Sequence, residues 1–277
     1  ASGVVAYARV TYPTPYMCRA IVPETAKDES KISQAIAKML EEDLTLRYEN
    51  NPETKQMLIY GMGDMHLSVL AAKLKTRFGV SVRLEEPKIP YREKITKPCD
   101  VEGKHKKQNG GSVPKNFIPA VEKGLQDAMA KGAVGFPLVR LRAELYDGSY
   151  HAVDSDELSF RTAANLAYKK CLELGAPVLL EPVGELFVTV PEALVGDIMG
   201  DLNKRRGRVM GMNPTGDGET VLEAEVPMAE MMSYAIDLRS MTQSRGSFTM
   251  HFVRYEQCSA DAQEKAVAAA KAMQEAE

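Results

Sequence analysis

His151 lies close in sequence to three carboxylates, Asp147, Asp154 and Asp156, within the stretch LYDGSYHAVDSDELSF. An imidazole changes charge near neutral pH and a carboxylate can orient it, so this set is able to do acid–base work. Ser149 stands in no GxSxG turn, so a nucleophile–base pair is not laid out. Together with Gly148, Ser149 and Tyr150, the group is instead a dense set of hydrogen-bonding side chains. That fits recognition of RNA, or of another surface, better than catalysis. Asp, Gly and Ser also serve plain turns for backbone reasons alone.

Cations gather in three places. Lys104, Lys106 and Lys107 flank His105 just before Gln108-Asn109-Gly110-Gly111, and such a run can supply the electrostatic part of phosphate binding. Lys204, Arg205, Arg206 and Arg208 put four cations in five positions at a predicted helix end. A helix dipole favours positive charge there, but four exceed what that end needs. Arg239, Gln243, Ser244, Arg245 and Gly246 form a further polar group. Because two helices of one domain share a sheet face, the last two groups are expected to converge. Gly61-Met62-Gly63-Asp64-Met65-His66 enters a predicted helix but lacks the GxxxxGK[ST] phosphate loop and any dinucleotide fingerprint. A tight strand-to-helix turn explains it without a ligand.

These groups need rigid elements to hold them. Leu141, Ala143 and Leu145 alternate with Arg142, Glu144 and Tyr146, the period-two pattern of a strand leading into the His151 loop. Asp154 or Ser155 is placed to cap a following helix over 158–172, with Glu157 in its first turn. Residues 16–86 read as βαββαβ. A strand over 16–22 is followed by a helix over 27–42 with the stripe Ile32, Ala35, Ile36, Met39 and Leu40. A hairpin pairs 44–49 with 55–60. A second helix carries Met65, Leu67, Val69, Leu70, Leu74 and Phe78 and ends at Gly79, before a last strand over 80–84. The same order recurs with little shared sequence. A strand over 185–190 precedes a helix with Leu194, Ile198, Met199 and Leu202; a hairpin (208–212, 220–226), a helix (232–242) and a strand (247–255) follow. Between the two lie a helix over 118–129 with Val121, Leu125 and Met129, the 158–172 helix, and a strand over 178–180. That is a thin sheet for two helices. The tail DAQEKAVAAAKAMQEAE predicts an exposed terminal helix.

At 277 residues the chain is long enough for two or three domains. A net charge of -3 makes no global case for nucleic acid, so any basic surface must be local. With no Trp and 6% aromatics, a carbohydrate site or a base-stacking platform is disfavoured. Cys18, Cys99, Cys171 and Cys258 form no CxxC and are expected to be reduced thiols. The four scattered histidines make no metal site. The first residues lack an initiator Met and read as the middle of a longer chain.

The stretches YGMGDMHLSVLAAKLKTRFGV, EEPKIPYREKI, DVEGKHKKQNGG, FIPAVEKGLQDAM, LYDGSYHAVDSDELSF, PVLLEPVGELFVTVPEALVGDIMGDLNKRRGRVMGM and VPMAEMMSYAIDLRSMTQSRGSFTMHF, in this order, resemble the C-terminal part of bacterial translation elongation factor G. The resemblance spans about residues 14–256 and extends to elongation factor G-like paralogues. It implies an α+β fold: two ferredoxin-like βαββαβ domains flanking a central α+β domain of the domain IV (ribosomal protein S5 domain 2-like) kind. The expected divisions are a linker (1–15), domain III (16–86), domain IV (87–182), domain V (183–256) and a helical tail (257–277).

The resemblance further implies a cytoplasmic, monomeric, GTP-dependent factor that translocates tRNA and mRNA on the ribosome. GTP and Mg2+ would be held by an N-terminal part absent here, so no catalytic residue is expected in this chain. Asp147, Gly148, Ser149, Tyr150, His151 and Asp154, with Gln108, Asn109, Gly110 and Gly111, would form a tip against tRNA and mRNA. Lys104, Lys106, Lys107, Lys204, Arg205, Arg206, Arg208, Arg239 and Arg245 would face ribosomal RNA, and Asp64 and His66 would sit in an interdomain context. The family continues past Gly111 with a strand-bearing segment absent here, which implies residues missing between Gly111 and Ser112. The alternatives are a ribosomal protection or recycling factor, and a non-ribosomal RNA-binding module.

Overall fold

The computed structural model describes residue 10 and residues 12–103, 113–151 and 155–276. The junction between Gly111 and Ser112 lies outside them. In chain order the first elements are β1 (Met17–Pro23), α1 (Glu29–Glu42), β2 (Arg47–Asn51), β3 (Gln56–Gly61), α2 (Asp64–Phe78) and β4 (Val82–Glu85). Then come β5 (Arg92–Ile95), α3 (Ile118–Met129), α4 (Glu157–Leu174) and β6 (Pro177–Pro191). The last are α5 (Val195–Lys204), β7 (Arg208–Pro214), β8 (Glu219–Pro227), α6 (Tyr234–Thr242), β9 (Ser247–Gln257) and α7 (Ala260–Ala276). Two compact units result: residues up to 89 with 183–253, and 90–182 with 254 onward.

The first unit contains the two βαββαβ motifs. In one, the antiparallel sheet runs β2-β3-β1-β4, with β1 hydrogen-bonded between β3 and β4. Ile32, Ile36 and Met39 of α1 meet Leu67, Leu70 and Leu74 of α2 in a buried core with Met17, Ile21 and Ile59. Each such aliphatic side chain contributes about 1.5–3 kcal/mol by leaving water. Gly79, at φ 68°, ends α2 in the left-handed conformation and bonds back to the Leu74 and Lys75 carbonyls. Met65 and Val69, expected in the α2 stripe, are instead 79% and 45% exposed. Leu67, Leu70 and Leu74 set the buried face, and Met65 lies two residues, about 200°, from Leu67 around the helix.

In the other motif the order is β9-β6-β8-β7, the same topology, over a core of Leu186, Val188, Val190, Ile198, Leu202, Leu222, Tyr234 and Leu238. The strands expected separately at 178–180 and 185–190 are one strand of 15 residues. Its first part pairs β5 through Leu180 and its second pairs β8 from Val183. Pro182, which has no N–H to donate, falls between the two ladders.

The second unit is built on α3 packed against α4. Of the expected stripe of Val121, Leu125 and Met129, the last two pack half-buried against the core, and the fully buried residues are their neighbours Ala120, Gly124 and Ala128. Their small size lets the backbones approach, and a Cβ on Gly124 would stand 2.6 Å from the Arg161 carbonyl oxygen. The buried carboxylate of Glu93 accepts from the backbone N–H groups of Ala133 (2.6 Å), Val134 (3.0 Å), Gly135 (3.2 Å) and Phe136 (3.0 Å). Four donors offset the desolvation that burial of a charge imposes.

The strand expected over 141–146 does not form, and Leu145 is exposed. A strand is stable only when its N–H and C=O groups meet a partner ladder. The ladder available here stops at Val139, which donates to the Glu93 carbonyl. The C-terminal tail is helical as expected but is not wholly exposed. Ala262 and Ala266 of α7 pack with Leu179, Cys258, Tyr91 and Phe136, and Gln263 accepts from the Leu179 N–H at 3.1 Å.

Candidate nucleic-acid interface

The segment from Asp147 to His151 belongs to no helix or strand and is fixed at its base by aromatic rings. Tyr150 lies against Phe117 with centroids 5.8 Å apart, and Phe117 stacks on Phe160 at 4.8 Å. Phe117 belongs to a short 3-10 turn before α3, and Phe160 to the first turns of α4, so both helices hold the loop. Tyr146 donates to Asp100 at 2.6 Å, and that bond raises the Tyr146 pKa above the ordinary phenol value. Asp147 accepts from the Gly148 N–H at 2.7 Å, an internal turn contact. The N–H of His151 donates to Ser155 Oγ and the Ser155 N–H returns to the His151 carbonyl, both at 3.0 Å.

The helix cap is neither Asp154 nor Ser155. Asp156 accepts from the Ser159 N–H at 2.7 Å, and Glu157 opens α4 as expected. His151 is exposed on the loop so held. Sequence reasoning missed Phe117, Phe160 and Asp100; the signal for the first two was an aromatic residue beside each helix start flanking the loop. Asp154, Gln108, Asn109, Gly110, Gly111, Lys104, Lys106 and Lys107 lie outside the described residues.

The basic group at the end of α5 does not act as one patch. Arg205, with only 14% of its side chain exposed, donates to Asp201 (2.7 Å), the Glu230 carbonyl (2.8 Å) and Asp237 (2.6 Å). Its guanidinium also lies 5.2 Å from the Tyr234 ring centre. All these partners are protein groups, so Arg205 is a structural cation tying α5 to α6 and does not face outward as expected. Arg206 reaches Glu230 at 3.0 Å from a left-handed backbone, φ 61°. Arg208 pairs with Glu225 while leaving 67% of its side chain exposed. Lys204 is exposed.

The expected convergence with Arg239 and Arg245 fails for a topological reason. In a βαββαβ motif the two helices run antiparallel. The end of α5 therefore meets the start of α6, as the Arg205–Asp237 pair shows, while Gln243 to Gly246 follow the opposite end. Arg245 is exposed there. Arg239 instead lies over the Tyr16 ring, 5.2 Å from its centre, with its guanidinium beside Gly63.

The Gly61–His66 turn is closed by protein groups. His66 Nδ1 accepts from the Met62 N–H at 3.1 Å, which leaves Nε2 to donate to Asp43 at 2.9 Å. Against the desolvation that would raise it, the Thr45 hydroxyl and N–H, with the His66 ring, hold the Asp43 carboxyl below its usual range. Asp64, at the start of α2, accepts from Arg19 at 3.3 Å. Asp64 and His66 thus bond within their own motif. Among the described residues the two motifs meet at Tyr16, whose hydroxyl donates to the Met62 carbonyl at 2.6 Å, at Phe248, 5.6 Å from the Tyr16 ring, and at Arg239.

Among the described residues no group of three or more His, Cys, Asp and Glu is placed to hold a metal, and no helix is long and apolar enough to cross a membrane. Three family models match in succession: elongation factor G, domain III, over residues 12–86; elongation factor G, domain IV, over 109–176; and the elongation factor G C-terminus over 178–266. An elongation factor G-like protein of Thermotoga maritima is 42% identical over 286 aligned residues, covering 92% of this chain and 42% of that protein. Elongation factor G of Aquifex pyrophilus is 41% identical over 90% of this chain and 40% of its own length. A crystal structure of a protein from Thermus thermophilus matches with a TM-score of 0.79 and 36% identity, over 96% of this chain and 44% of that one. The chain thus spans less than half the length of these relatives. With three successive domains matched and the βαββαβ topology found twice, the chain belongs to the elongation factor G family and carries its domain III, domain IV and C-terminal parts.

Proposed function

We propose that this chain is the ribosome-facing part of a translation elongation factor that moves tRNA and mRNA along the ribosome in a GTP-dependent step. The observation that supports this reading is the loop from Asp147 to His151, which presents exposed polar groups from a base fixed by Tyr150, Phe117, Phe160 and the Asp156 cap. Asp147, Gly148, Ser149, Tyr150 and His151 hold the tRNA–mRNA unit by hydrogen bonds, with Asp154 and Gln108 to Gly111 beside them in sequence. Lys204, Arg206, Arg208 and Arg245, with Lys104, Lys106 and Lys107, face ribosomal RNA phosphates, where cations supply affinity and register. Arg205 braces the α5 end of this surface from within, and the exposed Arg239 adds a cation beside Tyr16 and Gly63. GTP and Mg2+ belong to a part of the protein outside this chain, and no bond is made or broken by the residues described.

The test is His151→Ala in the full-length protein. Translocation is expected to slow roughly 10-fold, equivalent to about 1.4 kcal/mol in the barrier, with ribosome-triggered GTP hydrolysis nearly unchanged. Equal loss of both activities overturns the tip role. The elongation factor G-like name of the Thermotoga maritima relative favours a second reading, a paralogue acting in ribosomal protection or recycling. A full-length protein that splits ribosomes or displaces a ribosome-bound drug, yet fails to translocate, decides for it.

A further inference from the structure

Two thiols far apart in sequence meet in the second unit. Cys99 Sγ and Cys171 Sγ are 2.9 Å apart although 72 residues separate them. That is well inside the ~3.5–4.0 Å of ordinary non-bonded packing. The segment carrying Cys99 is laid along α4 by several other ties. The Thr96 and Lys97 N–H groups donate to the Gly175 carbonyl at 2.9 and 3.0 Å, and Thr96 Oγ1 to the Ala176 carbonyl at 2.9 Å. Lys170 Nζ donates to the Glu102 carbonyl at 2.7 Å. At Gly103 a Cβ would run into the Ala163 carbonyl, so this residue's lack of a side chain permits the close approach. The alignment that brings the sulfurs together is therefore set by contacts independent of them.

We propose that Cys99 and Cys171 are a redox modification site, oxidised by hydroperoxides to an intramolecular disulfide that staples the 96–103 segment to α4. The two sulfurs differ in role. Cys99 is half-buried and Cys171 buried, so oxidant reaches Cys99 first. Burial, and then the neighbouring Cys99 sulfur, push the Cys171 thiol up, so it is slow toward free oxidant and serves as the resolving thiol for a sulfur already in contact with it. The hydroperoxide transfers one oxygen to Cys99 Sγ, giving a sulfenic acid and the corresponding alcohol, or water where the oxidant is hydrogen peroxide. Cys171 Sγ then attacks that sulfur; the S–S bond forms, the S–O bond breaks, and hydroxide leaves with the Cys171 proton as water. An external dithiol reverses the step by exchange. The other two thiols lie elsewhere: Cys18 faces Tyr60, and Cys258 packs against Leu179 and Ala266. The expectation that all four thiols stay reduced is thereby narrowed to reducing conditions.

The experiment uses the 277-residue chain, treated with sub-millimolar hydrogen peroxide, quenched by alkylation and digested without reductant. The expected result is a peptide pair joined through Cys99 and Cys171, reopened by dithiothreitol, with titratable thiols falling from four to two. Cys99→Ser, at the half-buried position, should abolish the pair while leaving Cys171 alkylatable after unfolding; Cys18→Ser should leave it intact. Cys171→Ala, which places no new polar group at the buried position, gives a second, independent loss should the Cys99 variant fail to fold. Oxidation of Cys99 to sulfinic acid with Cys171 still a thiol, links to Cys18 or Cys258, or four unchanged thiols would each overturn the proposal.

Discussion

Arg205 shows how one side chain's surroundings decide its role. As sequence it is one cation among four, but its three donated bonds end on the Asp201 and Asp237 carboxylates and the Glu230 backbone carbonyl. Hydrogen bonds to charged partners each contribute about 1.5–3 kcal/mol, discounted here because Asp237 is 42% exposed. Arg205→Ala is therefore expected to destabilise the chain by about 2 kcal/mol in urea unfolding, whereas Lys204→Ala should stay within about 0.5 kcal/mol. Equal, small effects for both would return Arg205 to the outward-facing surface. The same site gives a pH dependence. The Ser233 hydroxyl, and then the Arg205 guanidinium, hold the Asp237 carboxyl below its usual range. Its contribution is present above the ordinary carboxylate pKa and is lost as pH falls through the lowered value. Arg205→Ala should weaken that acid sensitivity. Residue types alone could mark this cluster as basic; which cation turns inward depends on Asp237, 32 residues later, across the helix pair. The Tyr150–Phe117–Phe160 stack was hidden for the same reason, since its members come from three separate segments.

At the scale of elements, glycines in helices separate backbone preference from packing. Gly200 in α5 has no heavy atom within 4 Å of a built Cβ, whereas Gly124 in α3 sits 2.6 Å from the Arg161 carbonyl oxygen, 3.0 Å from its Cα and 3.1 Å from Ala164 Cβ. Intrinsic propensity favours Ala over Gly in a helix by about 0.8–1.0 kcal/mol. Gly200→Ala is accordingly expected to raise the thermal midpoint, and Gly124→Ala to lower it by pushing α3 off α4. A rise for both would mean that the α3–α4 approach is looser than 2.6 Å implies. The βαββαβ motifs were legible because Ile32, Ile36 and Met39, or Ile198 and Leu202, make an apolar stripe against a polar background. The α3 face was read only in part: Leu125 and Met129 do pack on the core, but the most buried residues are Ala and Gly, which carry little hydrophobic signal. The missing strand over 141–146 failed differently. Its alternation is real, but alternation reports a face and says nothing about whether a partner ladder is present. Glu93 went unnoticed because a carboxylate reads as surface until four backbone donors are seen around it.

For the whole molecule, the first unit joins two motifs separated by roughly a hundred residues of chain, and what couples them decides whether it unfolds as one body. Tyr16 is central to that coupling. Its hydroxyl bonds to the Met62 carbonyl in its own motif, and its ring meets Phe248 and the Arg239 guanidinium of the other. Phe248 in turn lies edge-on to the buried Tyr234, centroids 5.1 Å apart, so the contact reaches the second core. An aromatic pair and a cation over a ring contribute about 0.5–1.5 and 0.5–1 kcal/mol beyond area burial. Tyr16→Ala removes both and the hydroxyl's bond, about 2 kcal/mol in all. Tyr16→Phe removes only the bond and keeps both ring contacts. In calorimetry with far-UV circular dichroism and Tyr fluorescence followed in parallel, the Phe variant should keep coincident transitions for the first unit. The Ala variant should separate them, because each motif retains its own core while the term that makes them cooperate is lost. If the Ala variant melts in step with the wild type and at an unchanged midpoint, the coupling lies elsewhere on that face. In the full-length factor, the same separation would leave the Lys204–Arg208 surface free to move relative to the Gly61–His66 turn. Any transmission between those two places would then fall in proportion to the coupling lost.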